Sequence, residues 1–133
     1  MAASWQLIDA DSESVIIPRL ELATSFWQRF RGLQLRAELP EDQGLLIKPC
    51  RSIHTHWMRF SIDVAMLDED GLVLEVFSGV KPWRFVRQVR RTRSVLETSA
   101  GALEGQLQAG MHTRVVSKAE GDLPPPTQPL ENE

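Results

Sequence analysis

The chain has 133 residues, 42% hydrophobic and 25% charged, with a net charge of −3. That is the composition of an ordinary globular domain, long enough to bury a core without covalent staples. A single cysteine, Cys50, excludes an intramolecular disulfide, and no window approaches the roughly 18 apolar residues of a membrane-spanning helix. The N-terminal M-A-A-S-W-Q-L-I-D-A-D-S-E lacks the basic and apolar regions of a secretory signal, so a cytoplasmic location is expected.

In chain order, W-Q-L-I-D and S-V-I-I-P read as a strand pair around the polar turn A-D-S-E-S. T-S-F-W-Q-R-F-R-G-L reads as a short amphipathic helix, capped by Thr24 or Ser25 and stopped at Gly32. Phe26, Trp27 and Phe30 form its apolar stripe. L-L-I-K-P is a short buried strand ended by Pro49. I-D-V-A-M-L and L-V-L-E-V-F flank D-E-D-G and make a hairpin with Gly71 at positive φ. The unbroken apolarity of its first arm points to a strand covered on both faces. S-V-L-E-T and T-R-V-V-S are two more strands, separated by turns and one helical turn in S-A-G-A-L-E-G-Q-L.

Six to eight short strands and one short helix predict an α+β, β-rich fold, either a curled sheet or a small barrel. Residues 1–119 are expected to form a single globular domain. Residues 120–133, rich in proline and acid, are expected to lie outside it as a disordered tail.

The chemistry concentrates in C-R-S-I-H-T-H-W-M-R-F, Cys50–Phe60. Extended, this run would place Cys50, Ser52, His54, His56, Met58 and Phe60 on one face. Cys50, His54 and His56 are donors that suit zinc or copper, but Cys50 and Met58 would stand about 25 Å apart at about 3.3 Å per residue. No C-x-x-C or H-E-x-x-H accompanies them, so no metal and no cofactor is expected. A Cys50–His nucleophile is a second chemical reading. In the third, His54, Thr55, Met58, Arg59 and Asp63 line a polar pocket, with Pro82 and Trp83 folding over it. Arg59 would grip a small anionic or polar ligand and Asp63 would orient Arg59. The structural alternative is a polar network in which Arg59 simply pairs with Asp63.

Lys81–Arg93 holds Lys81, Arg84, Arg87, Arg90, Arg91 and Arg93 and no acid. Proline, tryptophan and phenylalanine among these cations could stack nucleic-acid bases. A turn followed by a solvated basic face explains the segment as well, and the acidic balance elsewhere argues against bulk nucleic-acid binding.

Taken together, several separated segments resemble the domain-of-unknown-function 192 family, from about Leu20 to Val116. They are R-F-R-G-L, L-P-E-D-Q-G-L-L, C-R-S-I-H-T-H-W-M-R-F-S-I-D, the D-E-D-G turn, K-P-W-R and S-V-L-E-T-S-A-G. The resemblance implies a compact β-rich fold and no particular activity. Its signature falls on Ser52, Ile53, His54, Thr55, Met58, Arg59, Ile62, Asp63, Pro82 and Trp83. Ser61 stands where the family usually has proline, and Gln34 where it usually has methionine. The expected function is a binding or accessory module; an enzyme or metalloprotein using Cys50 with His54 or His56, and a protein- or nucleic-acid-interaction module using residues 81–93, are the alternatives.

Overall fold

In the computed structural model, which describes residues 5–34 and 36–117, eight elements follow one another. They are β1 (Trp5–Asp9), β2 (Val15–Ala23), α1 (Phe26–Arg31), β3 (Gln43–Ile47), β4 (Ile62–Leu67), β5 (Val73–Val80), β6 (Ser94–Ser99) and β7 (Thr113–Ser117). The strands make one sheet in the order β5-β4-β6-β3-β2-β1-β7. Every neighbouring pair is antiparallel except β2 and β3. A parallel pair cannot be joined by a tight hairpin, and the crossover containing α1 supplies the longer path.

The expected α+β, β-rich architecture is therefore present, as a curled sheet rather than a barrel. Its two ends approach through an isolated bridge between Leu72 and His112. Gly71 lies at this seam with φ 86°, accepting the amide of Thr113 at 2.9 Å. A Cβ on Gly71 would stand 2.4 Å from the Thr113 carbonyl oxygen, so both the turn and the seam require glycine. Only turn and bridge residues meet there, and β5 and β7 do not pair along their lengths.

Apolar side chains fill both faces of the sheet, which explains the unbroken apolar runs. Leu46, Ala65 and Leu96 pack with Leu7, Ile17, Leu20 and Leu103 on one face. Their neighbours Leu45, Ile47, Val64, Met66 and Val95 pack with Leu33, Leu39, Met58 and Val86 on the other. Every residue of β4 is buried.

The helix starts and stops where its sequence says. Ser25 accepts the Gln28 amide, Gln28 reaches back to the Ser25 amide, and Gly32 ends the helix at φ 52°. Its apolar stripe, however, faces outward: Phe26, Trp27 and Phe30 are 62–72% exposed and touch one another. Leu33 and Leu39, beyond the helix, fill the core space that the stripe would have taken. The proline-rich segment 120–133 lies outside the described residues.

Candidate functional site

Residues 50–60 do not run extended. Only His54 makes a ladder contact, a bridge to Phe85, and Trp57 turns the chain with φ 67°. Period-two sorting therefore fails: Met58 is buried in the core while His54 is exposed. The physical reason is competition for backbone partners. The Thr55 amide donates to Arg84 O at 2.7 Å, Thr55 O receives the Trp83 amide at 3.0 Å, and the Met58 amide turns back onto Thr55 O at 3.2 Å.

Thr55 is the fastener of this arrangement. Fully buried, its hydroxyl donates to Lys81 O at 2.6 Å and accepts the Arg84 amide at 2.8 Å. The loop 50–60 is thus riveted to the K-P-W-R turn. Asp63 plays a similar part elsewhere: its buried carboxylate accepts the amides of Gly79 at 2.9 Å, Gly101 at 3.0 Å and Leu103 at 3.2 Å. Among the described residues no ion pair joins Arg59 to Asp63, and Arg59 stands exposed. Of the seven expected pocket residues, Thr55, Met58 and Asp63 hold the structure together. His54, Arg59 and Trp83 face solvent, and Pro82 is half-buried.

What Thr55 holds in place is an aromatic face. His54 and His56 meet edge-on at 4.7 Å, and His56 touches Trp83 at 5.1 Å and Phe85 at 4.9 Å. Trp57 meets Trp83 at 4.8 Å. Trp57, Trp83 and Phe85 are each more than half exposed. Both tryptophans have left-handed backbones, φ 67° and 66°, a conformation that bulky residues rarely take unless their surroundings impose it. The His56 amide donates to His54 Nδ1 at 3.2 Å, so a neutral His54 carries its proton on Nε2. Burial, then the neighbouring His56, holds the His54 imidazole below the usual histidine range. His56 Nδ1 is buried and has no partner among the described residues.

Cys50 does not join the histidines. Its thiol, half-buried, donates to Ser52 O at 3.3 Å, and burial pushes its pKa up. Such a thiol is a poor nucleophile at neutral pH. Among the described residues no group of three His, Cys, Asp or Glu side chains is placed to hold a metal ion.

A second polar constellation was not singled out from the sequence. Glu97 of β6 pairs in register with Leu45 of β3, which pairs with Glu21 of β2. Glu97 is 4% exposed, and its Oε1 is buried without a partner. Burial raises its pKa to about 7, although Arg36 and the Leu33 amide favour the ionised form. Arg36 pairs with Glu21 at 3.0 Å. Between α1 and strands β2 and β3 lies a cleft of about 310 Å³, lined among others by Glu21, Trp27, Gln28, Arg31, Gly32 and Arg36. The available signal was a single acid inside the otherwise apolar V-L-E run, which reads as an ordinary exposed position only if one face of the strand is wet.

Residues 7–115 match DUF192, described as Uncharacterized ACR. The chain belongs to this family. A DUF192-like relative, the UPF0127 protein of Thermococcus sibiricus, is 31% identical over 106 residues, 74% of this chain; the match spans 66% of the relative's own length. Two crystal structures share the fold. One, a protein of unknown function from Novosphingobium aromaticivorans, has a TM-score of 0.71 at 18% identity, covering 85% of this chain and 84% of its own. The other, from Sinorhizobium meliloti and named as a candidate transcription regulator, has a TM-score of 0.72 at 20% identity, covering 86% and 94%. No helix among the described residues is long and apolar enough to cross a membrane.

Proposed function

We propose that this DUF192 chain is a binding module whose recognition surface is the face made by residues 54–59 and 82–85, and that it takes a small anionic or polar ligand with a flat apolar side. One observation carries the reading. Trp57 and Trp83 are in contact at 4.8 Å, exposed, and held in left-handed backbone around the buried Thr55. A surface kept in that conformation is organised before a ligand arrives, which lowers the cost of ordering it on binding. Rings present a stacking plane, while the free His56 Nδ1 and the exposed Arg59 and Arg84 supply polar and cationic contacts. The acid-free composition of Lys81–Arg93 favours an anionic group on that ligand. A cytoplasmic location goes with this reading.

The test is a titration of labelled full chain with adenosine monophosphate and, separately, glucose 6-phosphate, followed by amide and indole NMR shifts. Shifts confined to residues 54–59 and 82–85, and lost in Trp83→Ala and in Arg59→Ala, are expected. Unmoved signals there at millimolar concentrations of both probes, or undiminished binding by Trp83→Ala, would overturn the proposal.

A further inference from the structure

We propose that the cleft between α1 and strands β2 and β3 is a second binding site, separate from the aromatic face, for a small amino-acid-type zwitterion. The charges lining it leave one of each sign over. Glu21 and Arg36 pair with each other. Arg31, exposed at the mouth, has no ion-pair partner among the described residues, and neither has Glu97. A ligand carrying an ammonium and a carboxylate matches that pair of unused charges.

Glu97 supplies the observation that points to a ligand. Its Oε1 is buried with no hydrogen-bond partner, and an orphaned buried acceptor costs stability of order 1–3 kcal/mol. The oxygen lies beneath Gly32, 3.5 Å from where a Cβ on that residue would stand, and Gly32 lines the cleft. Gly32 therefore leaves open the approach that any side chain would narrow. α1 buries none of its own residues, so a small outward movement at its C-terminal end exposes Oε1 without breaking core contacts. An ammonium donated to Oε1 would satisfy it and favour the ionised carboxylate. The ligand's carboxylate would then face Arg31, and its apolar part would rest on Leu45, Ala23 and the Trp27 ring. The volume, about 310 Å³, lies at the small end of the range for ligand sites and excludes bulky molecules.

Three probes of one shape separate the contacts: leucine carries both charges, isoamylamine only the ammonium, and 4-methylpentanoate only the carboxylate. Each is titrated into labelled full chain while the Trp27 indole and Gly32 amide signals are followed. Leucine should move both signals, and each single-charge probe should bind at least about tenfold more weakly, the loss of one charged hydrogen bond. Glu97→Gln, which keeps the shape, should weaken leucine and isoamylamine but not 4-methylpentanoate. Arg31→Ala, at an exposed position, should do the reverse for the two single-charge probes. Unmoved Trp27 and Gly32 signals with leucine, or equal leucine binding by Glu97→Gln, would remove the proposal and leave the aromatic face untouched.

Discussion

The carboxylate of Asp63 receives the amide proton of Gly101 at 3.0 Å, although the two residues stand on different turns of a long chain path. The same carboxylate holds the amides of Gly79 and Leu103. One buried side chain thus ties the end of the β4–β5 hairpin to the segment after β6. Asp63→Asn presents an NH₂ group to at least one of these donors, and Asp63→Ala leaves them all unpaired. Hydrogen bonds to a charged acceptor contribute roughly 1.5–3 kcal/mol each, and an unmet buried donor costs a similar amount. Asp63→Ala is expected to lose at least about 3 kcal/mol in urea denaturation, with Asp63→Asn intermediate. A loss below about 1 kcal/mol would show that water satisfies these amides instead.

Much of the fold was legible because the strands are both short and strongly apolar. The D-E-D-G hairpin, the Ser25 and Gly32 helix limits and the two-sided burial of β4 each follow from local pattern. The loop 50–60 misled because alternation of residue types there is not alternation of faces: Thr55 and Trp57 divert the backbone to partners about thirty residues away. Nothing in the local sequence encodes that Lys81 and Arg84 will offer those partners. For the same reason the signature residues read as a pocket from sequence, whereas Thr55 and Asp63 spend their polar atoms on backbone groups. Glu97 escaped notice because a lone acid in a strand gains meaning only once both faces are known to be buried.

Thr55→Val keeps size and branching and removes only the hydroxyl. It leaves the Arg84 amide without its acceptor at 2.8 Å and Lys81 O without its donor at 2.6 Å. A cost of about 1–3 kcal/mol is expected. Hydrogen exchange distinguishes this from a general loss: the amides of Trp83 and Arg84 should lose protection more than those of β4. If the face is organised by Thr55, ligand affinity at Trp83 falls in this variant as well.

Cys50 has a thiol whose pKa burial moves upward, so little thiolate exists at neutral pH. Iodoacetamide should label it several-fold more slowly than free cysteine at pH 7.5, with the rate climbing only above the usual thiol range. Cys50→Ser should change stability by less than about 1 kcal/mol. Rapid labelling at pH 7 would restore the nucleophile reading.

Glu97 gives the protein a pH dependence of defined sign. Its folded-state pKa of about 7 lies above the roughly 4.3 of an unfolded glutamate. Between those values the folded chain holds the proton more tightly than the unfolded chain. The associated stability is complete below about pH 4.3 and is lost as pH rises through 7. By pH 8 the loss amounts to about 3 kcal/mol. Glu97→Gln, which cannot ionise, escapes it. The variant should match the native chain near pH 4.5 and exceed it in urea resistance at pH 8. A difference between the two proteins that stays constant from pH 4.5 to pH 8 would mean that Glu97 keeps its charge in the folded state, with a partner that satisfies Oε1.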